Sequence, residues 1–142
     1  MRSLAVHWTG RVVVVCAVLV TASCAHMGGS KRTAGGVHVT DVDLGRAADS
    51  TNISITDVTH DFKTTDPVFA TVKYDHPGTE SATIGVKWYS GTTLLDQDTT
   101  PAETGEHHAH LFRMHAPPAA GAYKLEVSVN DKVVETKKFD VK

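Results

Sequence analysis

The chain has 142 residues, of which 41% are hydrophobic and 21% are charged, a composition typical of one globular domain. Such a domain needs neither disulfides nor a metal to fold. The formal net charge is −2, and acidic and basic residues are mixed along the chain without a basic run, which excludes an electrostatic nucleic-acid footprint.

The first 23 residues have the order of a signal peptide, which is positive, then apolar, then small. Arg2 and Arg11 are its charged residues, and residues 12–20 are almost entirely aliphatic. An apolar run of about nine residues is too short to cross roughly 30 Å of hydrocarbon as a helix. We therefore expect export, with a retained anchor helix as an alternative.

The residues Thr21-Ala22-Ser23-Cys24 resemble the bacterial lipobox, in which a small residue precedes a cysteine that is lipidated and becomes the mature N-terminus. The resemblance implies cleavage before Cys24 and anchoring in a membrane by lipid on that residue, and plain secretion with cleavage nearby is the alternative. Lipoproteins kept in an inner membrane carry Asp after the cysteine, but here Ala25 follows. The implied location is the cell envelope, and the outer membrane in a cell with two membranes.

Residues 25–36 contain four glycines and have no hydrophobic period, which indicates a flexible linker. A Gly-rich segment of this length spans on the order of 20 Å root-mean-square. The predicted organisation is therefore a signal peptide at 1–23, a lipidated cysteine and linker at 24–36, and one domain at 37–142.

From residue 37 onward, hydrophobic and polar residues alternate, as in half-buried β-strands. The alternating positions are Val37 and Val39; Ile53 and Ile55; Val68, Ala70, Val72 and Tyr74; Ile84, Val86 and Trp88; Tyr123, Leu125, Val127 and Val129; and Phe139 and Val141. Turn residues separate these runs at Asp75–Gly78, Ser90-Gly91, Pro117-Pro118 and Asn130-Asp131. The pattern predicts an all-β sandwich or barrel.

Two features favour an immunoglobulin-like antiparallel β-sandwich over an OB-like or jelly-roll barrel. Trp88 lies in the middle of a predicted strand, where such sandwiches place a core tryptophan. Gly121-Ala122-Tyr123 resembles the tyrosine corner of this fold. The resemblance implies that Leu125 stands where antibody domains have a cysteine, opposite Val72 or Ala70.

The stretch from Phe62 to Lys142 also resembles a type of bacterial lipoprotein domain. The likeness is carried by Phe62, Asp66, residues 68–72, residues 86–89, Gly121, Tyr123, Asn130-Asp131 and residues 139–141. This resemblance supports the β fold rather than an activity.

No nucleophile motif of the Gly-x-Ser-x-Gly type, phosphate-binding loop or dinucleotide fingerprint is present in the sequence. The acidic residues are scattered along the chain. We therefore expect a protein that is not an enzyme.

Four of the nine histidines cluster at His107, His108, His110 and His115, with Met114 beside the last. On a strand, His108, His110 and Met114 would share one side, and His107 and His115 the other. Imidazoles two residues apart on a strand are near enough to share Zn²⁺ or Cu²⁺, and a methionine thioether suits Cu(I).

The alternative interpretation places these histidines in a loop or on the solvent side of a strand, with Phe112 and Met114, or Leu111, facing the core. A further alternative is pH sensing by clustered imidazoles. The remaining histidines of the predicted domain, His38, His60 and His76, are interpreted as surface residues.

The expected function is that of a non-enzymatic envelope lipoprotein whose domain binds a protein or another envelope component through edge strands or loops. The alternative is a periplasmic or surface protein that binds copper or zinc through His107, His108, His110, Met114 and His115.

Overall fold

The computed structural model describes residues 33–116 and 118–142. The predicted signal peptide, Cys24 and most of the linker lie outside these residues. No helix in the described part is long and apolar enough to cross a bilayer.

The described residues form eleven β-strands. They are β1 (Thr33–Ala34), β2 (Val37–Gly45), β3 (Ala48–Asp49), β4 (Ser54–Ile55), β5 (Asp61–Phe62), β6 (Phe69–His76), β7 (Thr83–Ser90), β8 (Thr93–Pro101), β9 (Gly105–Arg113), β10 (Gly121–Val129) and β11 (Lys132–Val141). The smaller sheet has the order β1-β2-β6-β9, and the larger sheet has the order β5-β11-β10-β7-β8. Within the two sheets, all pairs are antiparallel except β5 with β11.

The two sheets enclose a single hydrophobic core to which both contribute. The alternation in the sequence is confirmed in the long strands, where the predicted apolar positions of β2, β6, β7, β10 and β11 are all buried. Trp88 is fully buried and contacts Phe139 edge to face, with ring centroids 6.1 Å apart. A buried aromatic side chain of this kind supplies much of the apolar area that stabilises a small domain.

The tyrosine corner predicted at the start of β10 is present. The Tyr123 hydroxyl donates to the Ala119 carbonyl at 2.6 Å and accepts the Ala119 N–H at 2.9 Å. Together with the two antiparallel sheets and the core tryptophan, this corner makes the fold an immunoglobulin-like β-sandwich.

The hairpin predicted at Asn130-Asp131 joins β10 and β11. Both residues have positive φ, 48° and 65°, as a type I′ turn requires, and Asn and Asp tolerate this conformation. The turn is also tied to β7, because the Asn130 side-chain oxygen accepts the Thr83 N–H at 2.9 Å.

The linker prediction was wrong for residues 33–36. Thr33 and Ala34 form β1 and pair with His38 and Val37, so the folded domain begins before residue 37. Gly35 and Gly36 have φ of 53° and 73° and make the tight turn between the strands. A Cβ on Gly35 would overlap the Asn130 side-chain amide, so the turn requires glycine at this position. The sequence alone does not distinguish such turn glycines from those of a flexible linker.

The strand predicted from Ile53 and Ile55 was also wrong, because β4 covers only Ser54–Ile55 and pairs with β3 outside both sheets. The Asp49 carboxylate accepts the N–H groups of Thr51 and Asn52 and the Asn52 side-chain amide. This Asx turn sets the backbone, overriding the β preference of the isoleucines.

His76, which was interpreted from the sequence as a surface residue, is buried. Strand β6 continues through His76, so Val72, Tyr74 and His76 all face inward, and each is 0% exposed. The sequence predicted a turn at Asp75–Gly78 because of Pro77 and Gly78, but the strand continues to His76, directly before the proline.

Candidate functional site

The first candidate site is a polar cluster around Tyr74, where the chain crosses from β8 in the larger sheet to β9 in the smaller sheet. The Tyr74 hydroxyl accepts the Glu103 N–H at 3.0 Å and lies 2.9 Å from His110 Nε2. Burial raises the pKa of the Tyr74 hydroxyl, and the negative charge of Glu103 acts in the same direction. A buried neutral hydroxyl thus holds the crossover, residues 102–104, against β6.

Two histidines of the predicted cluster hold the same crossover. His110 Nε2 lies 3.1 Å from the Pro101 carbonyl, and His108 Nε2 lies 3.1 Å from the Thr104 carbonyl. His108 Nδ1 is also 3.2 Å from a Glu103 carboxylate oxygen. Ring contacts with Tyr74, with centroids 5.6 Å and 5.3 Å away, complete the packing of both imidazoles. Their polar atoms therefore serve the protein's own backbone.

The other predicted ligands lie elsewhere. His107 projects from the opposite side of β9, and its side chain is 89% exposed. Met114 is buried in the core. His115 lies beyond the far end of β9, where its N–H donates to an Asp96 carboxylate oxygen at 2.6 Å. The side assignment made from the sequence thus agrees with the structure for His107, His108, His110 and Met114, but not for His115, which lies outside the strand.

The five predicted ligands do not converge on one point. In residues 33–116 and 118–142, no three His, Cys, Asp or Glu side chains are placed to hold one metal ion. This geometry gives the copper or zinc hypothesis no support.

His38 Nδ1 lies 2.8 Å from the Thr33 hydroxyl. Across the smaller sheet, His38 pairs in register with Asp75 of β6, and Asp75 accepts the His107 backbone N–H at 2.7 Å. His38, Asp75 and His107 are therefore neighbours in this sheet. These residues lie more than 30 positions apart, so only strand pairing could have shown the arrangement.

A groove of about 270 Å³ lies on the outer face of the smaller sheet, between the β3–β4 hairpin and β9. Ile53 and His107 both line it, and both have positive φ, 47° and 61°, which neither side chain favours. Lys73 also lines the groove, where hydrogen bonds to Asp43 and then Asp41, at 3.0 Å and 3.1 Å, raise its pKa. The ammonium group is thus held by the protein's own carboxylates.

The core-facing side of β8 is a second candidate site. Asp96, Asp98 and Thr100 pair in register with the buried residues Trp88, Val86 and Ile84, so they point toward the smaller sheet. The larger sheet has four long strands and the smaller sheet has three, and this side of β8 is only partly covered among the described residues. Asp98 is left exposed, whereas the Asp96 carboxylate is covered by residue 115 beyond β9.

No protein-family model and no curated protein matches this sequence. Among solved structures, the chain is similar to an immunoglobulin-like protein from Pseudomonas aeruginosa, with 12% identity over 80% of this chain and 100% of that chain, and a TM-score of 0.49. It is also similar to a β-glucosidase from Listeria innocua in complex with glucose, with 13% identity over 71% of this chain and 16% of that chain, and a TM-score of 0.41. The fold assignment therefore depends on the strand order and tyrosine corner of this chain.

Proposed function

We propose that the protein is a non-enzymatic lipoprotein of the cell envelope, held to a membrane by lipid on Cys24, whose β-sandwich binds a protein or another envelope component. The lipobox resemblance at residues 21–24 supports the anchoring. More than one acyl chain makes such an anchor durable, since each buried methylene contributes roughly 0.8 kcal/mol.

The observation that carries the binding proposal is the partly covered side of β8. Core-facing positions of a sandwich strand are normally covered by the opposite sheet. Asp98 occupies a core-facing position of β8 but is exposed to solvent. The smaller sheet ends at the edge strand β9. A partner that occupies this place would complete the sandwich, whereas the histidines and Tyr74 already hold the crossover.

Anchoring is tested in cells that express the full chain and are fed a labelled palmitate. The wild type is expected to incorporate label and to fractionate with membranes, and the Cys24→Ala variant is expected to do neither. Equal labelling of both chains would remove the anchoring from the proposal.

Partner binding is tested by photo-crosslinking in the same cells. A photoreactive residue replaces Thr100, on the same side of β8 as Asp98, in one variant and Glu126, on the opposite face of the larger sheet, in the control. A single stoichiometric crosslinked species is expected from position 100 alone. Absence of any crosslink at position 100 in the anchored chain would contradict the binding function.

A further inference from the structure

The free edge of β8 is closed to other strands. The Ala102 N–H donates to the Ala82 carbonyl at 2.8 Å, and alternation along an antiparallel pair then turns the backbone groups of Gln97, Thr99 and Pro101 away from β7. Pro101 has no N–H. The N–H groups of Gln97 and Thr99 donate to the carboxylates of the preceding Asp96 and Asp98, at 2.9 Å and 2.8 Å. Every outward donor from Gln97 to Pro101 is therefore absent or occupied.

The free edge of β9 has no such protection. The Met114 N–H donates to the Val68 carbonyl at 3.0 Å, so the same alternation turns the backbone groups of Ala109, Leu111 and Arg113 away from β6. Among the described residues, nothing accepts these three N–H groups. An exposed row of unpaired backbone donors and acceptors is a template for a further strand.

We propose that an extended segment of a partner protein pairs with the β9 edge at Ala109–Arg113 and becomes an added strand of the smaller sheet. This inference rests on the proposed binding function and names its site. The added strand would lie over the core-facing side of β8, where the smaller sheet has one long strand fewer than the larger sheet. Main-chain hydrogen bonds would supply affinity, and alternate side chains would supply specificity.

The side chains around this position define the chemistry of the partner segment. Residues of the added strand that point inward would meet the exposed carboxylate of Asp98, with which no Lys or Arg pairs in the described part. The Asp96 carboxylate already accepts the His115 N–H. Residues that point outward would lie beside Ala109 and Leu111. The segment is therefore an extended peptide in which basic and apolar residues alternate.

The first described strand, β1, lies at the edge of the smaller sheet opposite β9. None of the described strands pairs with the free edge of β9, and we assign this position to a segment of another protein.

The test uses the full chain in detergent micelles and a fluorescent ten-residue peptide in which Lys and Val alternate. Binding is followed by fluorescence anisotropy, with a Glu and Val peptide as the charge control. The wild type is expected to bind the Lys peptide, more weakly at high salt, and to bind the Glu peptide at least about tenfold less tightly.

Two variants remove the two kinds of contact. Leu111→Pro removes an outward N–H and leaves the ladder to β6 in place, and Asp98→Asn keeps the acceptor for Thr99 but removes the charge. Each is expected to weaken peptide binding by about tenfold, the equivalent of one hydrogen bond or close charge contact. The matched controls, Lys138→Pro and Asp140→Asn on β11, are expected to bind like the wild type.

Several results would overturn the inference. They are an undetectable interaction with the Lys peptide, equal binding by wild type and Asp98→Asn, or a dimer in sedimentation that Leu111→Pro dissolves, because a second copy would then occupy the edge. Asp98→Asn keeps the test valid if Leu111→Pro fails to fold. If the partner crosslinked at position 100 is still bound by both variants, this location fails while the proposed function stands.

Discussion

Two buried tyrosines hold connections between the sheets by different means. The Tyr123 hydroxyl bonds both the N–H and the carbonyl of Ala119, four residues upstream. The Tyr74 hydroxyl bonds the N–H of Glu103, 29 residues downstream, and lies against His110, which is 36 residues away. Tyr123 therefore fixes the entry into one strand, whereas Tyr74 joins β6, the crossover and β9.

This difference in span predicts a difference in stabilising effect. Ala119 and Glu103 are both exposed, but the Tyr123 hydroxyl holds a single residue four positions away. The hydroxyl of Tyr74, which is 0% exposed, is the shared partner of a backbone donor and an imidazole. We expect the long-range tie to stabilise the domain more than the local corner does.

The largest effect is expected from Tyr74→Phe, which leaves the Glu103 N–H and His110 Nε2 without their shared partner. The free energy of unfolding should fall by roughly 2 kcal/mol, because a fully buried hydroxyl and its two contacts with separate elements are lost, while His110 Nε2 keeps the Pro101 carbonyl. Urea unfolding of the full chain in detergent measures it. Tyr89→Phe is the control, because in the described part the Tyr89 hydroxyl has no hydrogen bond. Equal losses in Tyr74→Phe and Tyr89→Phe would show that the hydrogen bonds of the Tyr74 hydroxyl do not stabilise the domain.

A smaller loss, about 1 kcal/mol, is expected from Tyr123→Phe, because water takes over both contacts with Ala119. The same unfolding measurement applies. A loss larger than that of Tyr74→Phe would show that the local corner contributes more than the long-range tie.

Thr71 differs from both tyrosines, because its buried hydroxyl has no hydrogen-bond partner. Thr71 is 0% exposed. Thr71→Val keeps the shape and removes the unpaired group, so stability should rise by about 0.5–1 kcal/mol. Thr136→Val, at an exposed position of β11, is the control and should change little. Destabilisation by Thr71→Val would mean that a water or another group pairs with this hydroxyl.

The smallest effect is expected on the pH dependence of stability. Burial raises the pKa of Tyr74 above its ordinary value of 10.0. The contribution of Tyr74 is therefore complete below pH 10 and is lost as pH rises through the folded value. Unfolding measured between neutral and strongly alkaline pH should show a steeper loss in the wild type than in Tyr74→Phe. Parallel curves would contradict this linkage.

The long strands and the tyrosine corner could be predicted because their signals are local. Alternation at Ile84, Val86 and Trp88 identifies a strand, and Gly121 two residues before Tyr123 identifies the corner. Alternation gave a wrong prediction at Ile53, because the Asp49 carboxylate accepts the N–H groups of Thr51 and Asn52 and these turn hydrogen bonds determine the backbone.

The candidate sites could be predicted only in part. The side of β9 that carries His108 and His110 followed from alternation, but their contacts with Thr104 and Pro101 depend on how the crossover folds back. The partly covered side of β8 depends on the number of strands in each sheet. That number is a property of the topology, and no residue of β8 encodes it locally.

The burial of Trp88 gives the protein an intrinsic optical probe. The sequence has two tryptophans, and Trp8 lies in the predicted leader, so cleavage before Cys24 would leave Trp88 as the sole indole. Its cross-strand neighbour on β8 is Asp96, at the side that the smaller sheet only partly covers. Its emission spectrum should therefore shift to the red on unfolding, and quenching by small solutes should increase as the indole becomes accessible.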